Sequence, residues 1–453
     1  MMNNIYKKCR KTLFLSIIIL FLPSFITKYE FPVFRVVLDP GHGGRALNPI
    51  SKHGDRYDIL SGKYLDMFRE GATYRGKYVE HEIVYSISAK IEKILKMCAP
   101  DGDYNGFLAI LNKYTDEIPP RVYLVTEQSR PRSITDKEAD TLEDPNAGFR
   151  VFDYPDIKGK IRPGRLSRIN SYKPHLVFSI HTANDAPPDY EGMTPILVPD
   201  YDFLYTGLRY LRGEHTGKKF FHNTAMRDWF GQSGGRSRFG WFLSDTNLYF
   251  TGYPLTKDRK PDLEKFRGYR HNMVHWAYAD PPGWEKDASA DTRPLHYSKD
   301  FMDFKPEGKY WDRERSPYEK YKRDGGIEGF GGDNSYASYE IIRYIMYALD
   351  LKDVRHSNQI AGKPFYCVWI MPLHLNAVNA FLELGYFSKK HDRYLLEKKQ
   401  DEIAEGAAVG IYSLFTGIKL KERKLKQPPK GKKIDYDKYR TSETKTYFDE
   451  VAE

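Results

Sequence analysis

Cysteine is scarce in this chain: three thiols in 453 residues, at Cys9, Cys98 and Cys367. A disulfide-stapled scaffold is therefore excluded. Cys9 lies in the N-terminal segment, and the other two read as buried thiols, Cys98 at a helix end and Cys367 in the strand-like PFYCVWIM. Long hydrophobic runs are missing too. The one apolar stretch, TLFLSIIILFLPSFI from Thr12 to Ile26, falls short of the ~20 residues of a comfortable transmembrane helix. The long segment from about 200 to 330 shows no internal repeat. A composition 40% hydrophobic and 15% aromatic excludes a disordered protein and is ample for a core.

What is present begins with a signal. Cations in MMNNIYKKCRK precede the apolar run, the arrangement of a secretory leader. No A-x-A-like cleavage site follows, so residues 1–28 read as a signal peptide or an uncleaved signal anchor. Cys9 stands before the apolar run and is not placed for lipid attachment. The expected location is outside the cytoplasm, in the periplasm or cell envelope. The formal charge of +10 and a pI near 9.0 suit an acidic polymer as partner: nucleic acid, an anionic membrane surface or cell-wall glycopeptide. Export argues against nucleic acid. Much of the basicity sits in IKLKERKLKQPPKGKKIDYDKYRTSETK, which lacks apolar periodicity and reads as a flexible, solvated tail over 419–453.

Residues 36–44 read VVLDPGHGG. Strand formers stop on a Gly- and Pro-rich turn, which sets His42 on a tight loop at the carboxyl end of a buried strand. In open α/β sheets ligands bind outside that edge, although a turn histidine facing water is the ordinary alternative. Ile83, Ile87, Ile91 and Ile94 recur at helical spacing, so a helix starts near Glu80. RVYLVTEQ from Arg121 reads as the next strand. A short helix from Arg165 to Ser171 then feeds a strand from His175 to Ile180 that ends on His181. Further along come a strand at MTPILVP from Met193, a helix over Tyr336 to Leu351, a strand from Pro364, a strand over Asn379 to Ser388 that carries Glu383, and a closing helix from Gln400 to Phe415. This alternation predicts an α/β fold: a twisted, mostly parallel sheet with helices on both faces, elaborated by long insertions.

Four residues stand out. His42 and His181 sit where strands stop, Glu80 opens a helix, and Glu383 is a carboxylate among apolar neighbours, where an unpaired charge is costly. Each has a plain reading: a satisfied histidine, a helix-dipole partner, an arginine's ion-pair mate. Taken together, two histidines and one glutamate match the ligand count that leaves a fourth position open in catalytic zinc sites.

Four blocks in order resemble the zinc-dependent N-acetylmuramoyl-L-alanine amidases of type 3: VVLDPGHGG, GKYVEHEIVYSISAKIEKIL, RLSRINSYKPHLVFSIHTAND and NAFLELGYFSKKHDRYLL. They cover well under half of the chain. The resemblance implies Zn²⁺ held by His42, Glu80 and His181, Glu383 as the catalytic carboxylate, and a catalytic domain over 33–418 with an insertion at about 200–330. It also implies peptidoglycan as partner, with hydrolysis of the amide between N-acetylmuramic acid and L-alanine. An activator protein and membrane anchoring through the N-terminal segment are further partner expectations. The competing readings are a glycopeptide-binding or regulatory protein with a gated or inactive zinc site, and a zinc peptidase on another amide. Two departures stand out: an asparagine expected two residues after the third-block histidine falls at Asn184, and Glu127 replaces an arginine common at the end of the second strand. Arg165 and Asn170 match recurrent family positions and are read as structural. In the insertion, Trp229, Trp241, Trp276, Trp284 and Trp311 read mostly as local core, and His271 and His275 as surface residues.

Overall fold

The computed structural model describes residues 29–43, 56–58, 63–66, 71–131, 150–156, 158–185, 192–197, 201–214, 216, 235–265, 329–354, 364–366 and 374–450. Residues 1–28, Cys367, His271, His275 and four of the five insertion tryptophans lie outside them. The fifth, Trp241, is 59% exposed rather than core, with its ring 6.3 Å from that of Phe365.

The main sheet has six strands: β1 (Val33–Pro40), β2 (Tyr123–Gln128), β3 (Leu176–Ala183), β4 (Thr194–Leu197), β5 (Phe365–Tyr366) and β6 (Val378–Tyr386), in the order β5-β4-β6-β3-β1-β2. The four strands β6, β3, β1 and β2 are mutually parallel. β4 runs antiparallel to β6, with β5 parallel beyond it. The α/β class expected from the alternation is the one found.

The two-residue period of the strands sorts their side chains. Val36, Leu38, Leu176, Phe178, Ile180, Val378, Ala380 and Leu382 enter the main core with α1 (Glu80–Leu95), α6 (Asp333–Asp350) and α8 (Gln400–Thr416). Val37 and Val177 point the other way, onto Leu166 and Ile169 of α3 (Arg165–Ser171). The remaining helices among the described residues are α2 (Tyr104–Leu111), the mutually packed α4 (Tyr201–Leu211) and α5 (Gly235–Thr251), α7 (Lys390–Lys398) and the short α9 (Tyr447–Glu450). Cys98 is buried and free, as expected.

The C-terminal segment corrects the sequence reading. The chain beyond α8 is no solvated tail: Ile418, Ile434, Tyr439, Tyr447 and Phe448 are all buried in the main core. Its rings interlock, with Phe448 against Tyr436, Tyr439 and Phe330. Aromatic burial outweighs the charge density that suggested solvation, because the lysines between the rings stay exposed, Lys438 with its ammonium on Asp333 at 2.6 Å.

Candidate metal centre

β1 runs to Pro40, and Gly41 donates its N–H to the Ile180 carbonyl at 2.8 Å, which holds the exit loop beside β3. A Cβ on Gly41 would lie 2.3 Å from the His181 ring, so only glycine lets that imidazole lie over the loop. His42 follows at φ 58°, in the left-handed region, where histidine is one of the few non-glycine residues enriched.

Glu80 is the first residue of α1 and only 2% exposed. Both of its oxygens are occupied. Oε1 accepts the Thr182 N–H at 3.0 Å and lies 3.1 Å from His181 Nδ1; Oε2 accepts the Ala72 N–H at 2.6 Å and lies 3.4 Å from His42 Nε2. Burial alone would raise this carboxyl, but His42, His181 and the Ala72 amide reverse that and hold it well below the usual range. Burial disfavours the His181 cation, and the Glu80 carboxylate more than compensates, so its pKa is raised. Phe381 stacks on the His181 ring, centroids 4.5 Å apart.

The donor atoms of His42, Glu80 and His181 all lie within 4.8 Å of one another. His181 Nδ1 lies 3.1 Å from one Glu80 oxygen and His42 Nε2 3.4 Å from the other, near the span of two metal–ligand bonds at a tetrahedral angle, about 3.3–3.4 Å. The donor types and their proximity suit a divalent metal ion.

Glu383 sits opposite His181 in the β6–β3 register. Its Oε2 is sealed from solvent and meets no hydrogen-bond donor among the described residues. Burial and the nearby Glu80 charge push its pKa up to about 8, against the pull of His181. All four sequence-selected residues thus meet at the carboxyl edge of the parallel strands.

Sequence reasoning missed two supports, Gly71 and Arg130, and read a third, Arg165, as structural only. Gly71, at φ +92°, passes so close that a Cβ would sit 2.9 Å from the His42 ring and 3.0 Å from Glu80 Oε2. Arg130 is 2% exposed and donates to the carbonyls of Pro40 at 2.7 Å, Gly41 at 2.9 Å and His81 at 3.0 Å. One guanidinium so ties the His42 loop to the start of α1. Burial, with Arg165 nearby, lowers its pKa to about 9, which leaves it cationic at neutral pH. Arg165 proves more than a structural residue of α3: its Nη2 donates to the His42 carbonyl at 2.7 Å, and Nη1 lies 3.5 Å from Asp39. Asn170, read as structural, bridges the His374 carbonyl and the Asn376 N–H.

No protein-family model matches the chain, and no curated protein does. Among solved structures, the N-acetylmuramyl-L-alanine amidase Ami1 of Mycobacterium smegmatis matches at 13% identity and a TM-score of 0.33, over 84% of this chain and 95% of that one. The CwlD amidase of Clostridioides difficile, solved in complex with the GerS lipoprotein, matches at 13% and 0.31, over 84% and 96%. AmiC2 of Nostoc punctiforme, another such amidase, matches at 11% and 0.28, over 84% and 95%. Likeness at this level assigns no activity, so the chemistry has to come from the residues themselves.

Proposed function

We propose that the chain is a zinc-dependent N-acetylmuramoyl-L-alanine amidase of type 3 that releases stem peptides from peptidoglycan in the cell envelope. The observation that carries this reading is the buried, unsatisfied Glu383 Oε2 opposite His181, beside a His-Glu-His donor set able to hold a metal ion. The four ordered sequence blocks support it independently.

In this reading His42, Glu80 and His181 hold the ion, and the open side of the set faces substrate. When bound, zinc supplies the Lewis acidity that polarises an amide carbonyl and acidifies water. The chain's own part is positional and protolytic. The Thr182 and Ala72 amides fix Glu80, so this ligand does not have to be ordered when the ion arrives. Phe381 fixes the plane of His181. Arg130 and Arg165 pin the carbonyls on either side of the His42 turn.

Glu383 takes a proton from the attacking water and passes it to the departing amine, the step on which amide cleavage depends. Burial makes the Glu383 carboxylate a stronger base for the water's proton, and the acid formed by that transfer is what the amine leaving group needs. The substrate bond joins the lactyl group of N-acetylmuramic acid to L-alanine, so cleavage leaves a stem peptide with a free L-alanine amine.

The deciding experiment is mass spectrometry of products after the chain meets intact peptidoglycan, with zinc or with chelator. Zinc-dependent release of stem peptides bearing a free L-alanine amine is the expected result. Cleavage of free stem peptide without any need for the muramyl group would replace the amidase with a peptidase. Bound zinc without release would indicate a binding protein.

A further inference from the structure

The other end of the sheet carries charge of a different kind. After α8 the chain leaves at Gly417 and returns, the Ile434 N–H donating to the Leu414 carbonyl at 2.8 Å. A Cβ on Gly431 would meet the Ile418 carbonyl at 2.2 Å, so the two arms of this loop touch at its base. Between Lys419 and Lys433 the loop holds eight cations and one carboxylate. Three of the cations are neutralised by neighbours: Lys419 by Glu117, Lys421 by Asp116 and Arg423 by Asp350. Lys424, Lys426, Lys430, Lys432 and Lys433 are exposed, and no partner meets their ammonium groups among the described residues. The loop folds beside a groove of about 730 Å³ lined by Tyr347, Lys424, Pro428 and Lys430.

This loop lies at the amino edge of the sheet. Lys421 donates its backbone N–H to the Tyr114 carbonyl at 2.8 Å, on the segment that leads into β2. On the same segment Ile118 is 90% exposed. A few residues on, Arg121 covers the Phe31 ring, and Tyr29, itself 52% exposed, packs edge-on against Tyr123. In sequence the apolar run Thr12 to Ile26 ends three residues before Tyr29. Free lysines, two exposed apolar side chains and the entry point of a 15-residue apolar stretch therefore share one pole. The candidate metal centre occupies the opposite one, since β1 advances about 23 Å from Val33 to Pro40 at ~3.3 Å per residue.

We propose that this pole is a docking surface for an anionic bilayer, with the lysine loop on the lipid headgroups and the candidate site facing away from the membrane. Lysines at such a surface each multiply binding to anionic membranes about fivefold, and apolar side chains such as Ile118 suit the headgroup boundary. The proposal is independent of which amide the site cleaves.

The test uses the full chain and two sets of vesicles, pure phosphatidylcholine and phosphatidylcholine with phosphatidylglycerol, in a sedimentation assay. The apolar run contributes to both, so the ratio of the two affinities isolates the charged surface. The expected ratio is at least about tenfold in low salt and shrinks at high salt as screening grows. The triple substitution K424E/K426E/K430E should bring it near unity, while K257E/R259E/K260E, exposed cations near α5, should leave it within about twofold of the starting value. A ratio near unity for the unmodified chain, or an equal loss in both triples, overturns the proposal. Binding to soluble poly(glycerol phosphate) but to neither vesicle also overturns it, in favour of a wall polymer.

Discussion

The two ends of the same sheet use charge in opposite ways. At the carboxyl edge, Glu80, Arg130 and Arg165 are at most 2% exposed, and each of their donors and acceptors named above is committed to a specific atom. At the amino edge Lys424, Lys426, Lys430, Lys432 and Lys433 stand exposed, with no partner for their ammonium groups among the described residues. Buried charge costs several kcal/mol to desolvate and is recovered only through good geometry, so it fixes positions. Exposed charge costs little and fixes nothing, which makes it adaptable to a soft or variable partner.

That contrast can be broken or sharpened experimentally. The largest effect is expected for Glu383→Gln, which preserves shape but removes the proton carrier. Turnover should fall by about a thousandfold while zinc content, read by elemental analysis, stays at that of the unmodified chain; retained turnover would remove Glu383 from the chemistry. Next comes Arg130→Met, which leaves the Pro40, Gly41 and His81 carbonyls without their shared donor. A loss of about 3 kcal/mol in denaturant unfolding is expected, together with zinc affinity weaker by about tenfold or more. A stability loss with zinc affinity unchanged would separate the clamp from the site.

Behind the site, Asp153 accepts from the Gly164 N–H at 2.8 Å and the Ser167 hydroxyl at 2.7 Å, just before α3 delivers Arg165. Burial pushes its pKa up to about 7, against those hydrogen bonds. Since the folded value lies above the unfolded value of 3.8, its contribution is fully present below pH 3.8 and is lost as pH rises through about 7. Between pH 5 and pH 7 that amounts to about 2 kcal/mol, and Asp153→Asn should flatten this part of the stability profile. The smallest effect belongs to the exposed end: K424E/K426E/K430E should change unfolding free energy by less than about 0.5 kcal/mol. A larger loss would mean that the loop lysines serve the fold.

Much of this architecture is legible in sequence where a single period dominates. α1 begins at Glu80 and ends at Leu95, as its isoleucine spacing implies, and α3 spans Arg165 to Ser171. His42, Glu80, His181 and Glu383 could be picked out because each breaks its local pattern: a histidine among glycines, carboxylates where apolar residues or a helix start dominate. Gly71 and Arg130 break no pattern. The need for Gly71 comes from rings supplied by distant residues, and Arg130 follows its strand by two positions, in an ordinary-looking SRPR. The antiparallel entry of β4 was equally hidden, because direction is decided by connections rather than by strand composition. The C-terminal segment misled for the converse reason. Tyr436 and Tyr439 share one helical turn and Tyr447 and Phe448 a short helix, but the two pairs follow no common period, and among so many lysines their packing into one cluster shows only in three dimensions.

The strand order has a consequence for how the molecule comes into being. β6 lies next to β3 although some 200 residues separate Glu383 from its register partner His181. Contacts of such long range form slowly and late, and a chain made from its N-terminus holds both histidines and Glu80 well before it holds Glu383. A growing or truncated chain that stops before β6 can carry the whole donor set yet lacks the carboxylate. The proposed chemistry therefore waits on completion of the sheet, which makes the last central strand to be synthesised the arming step.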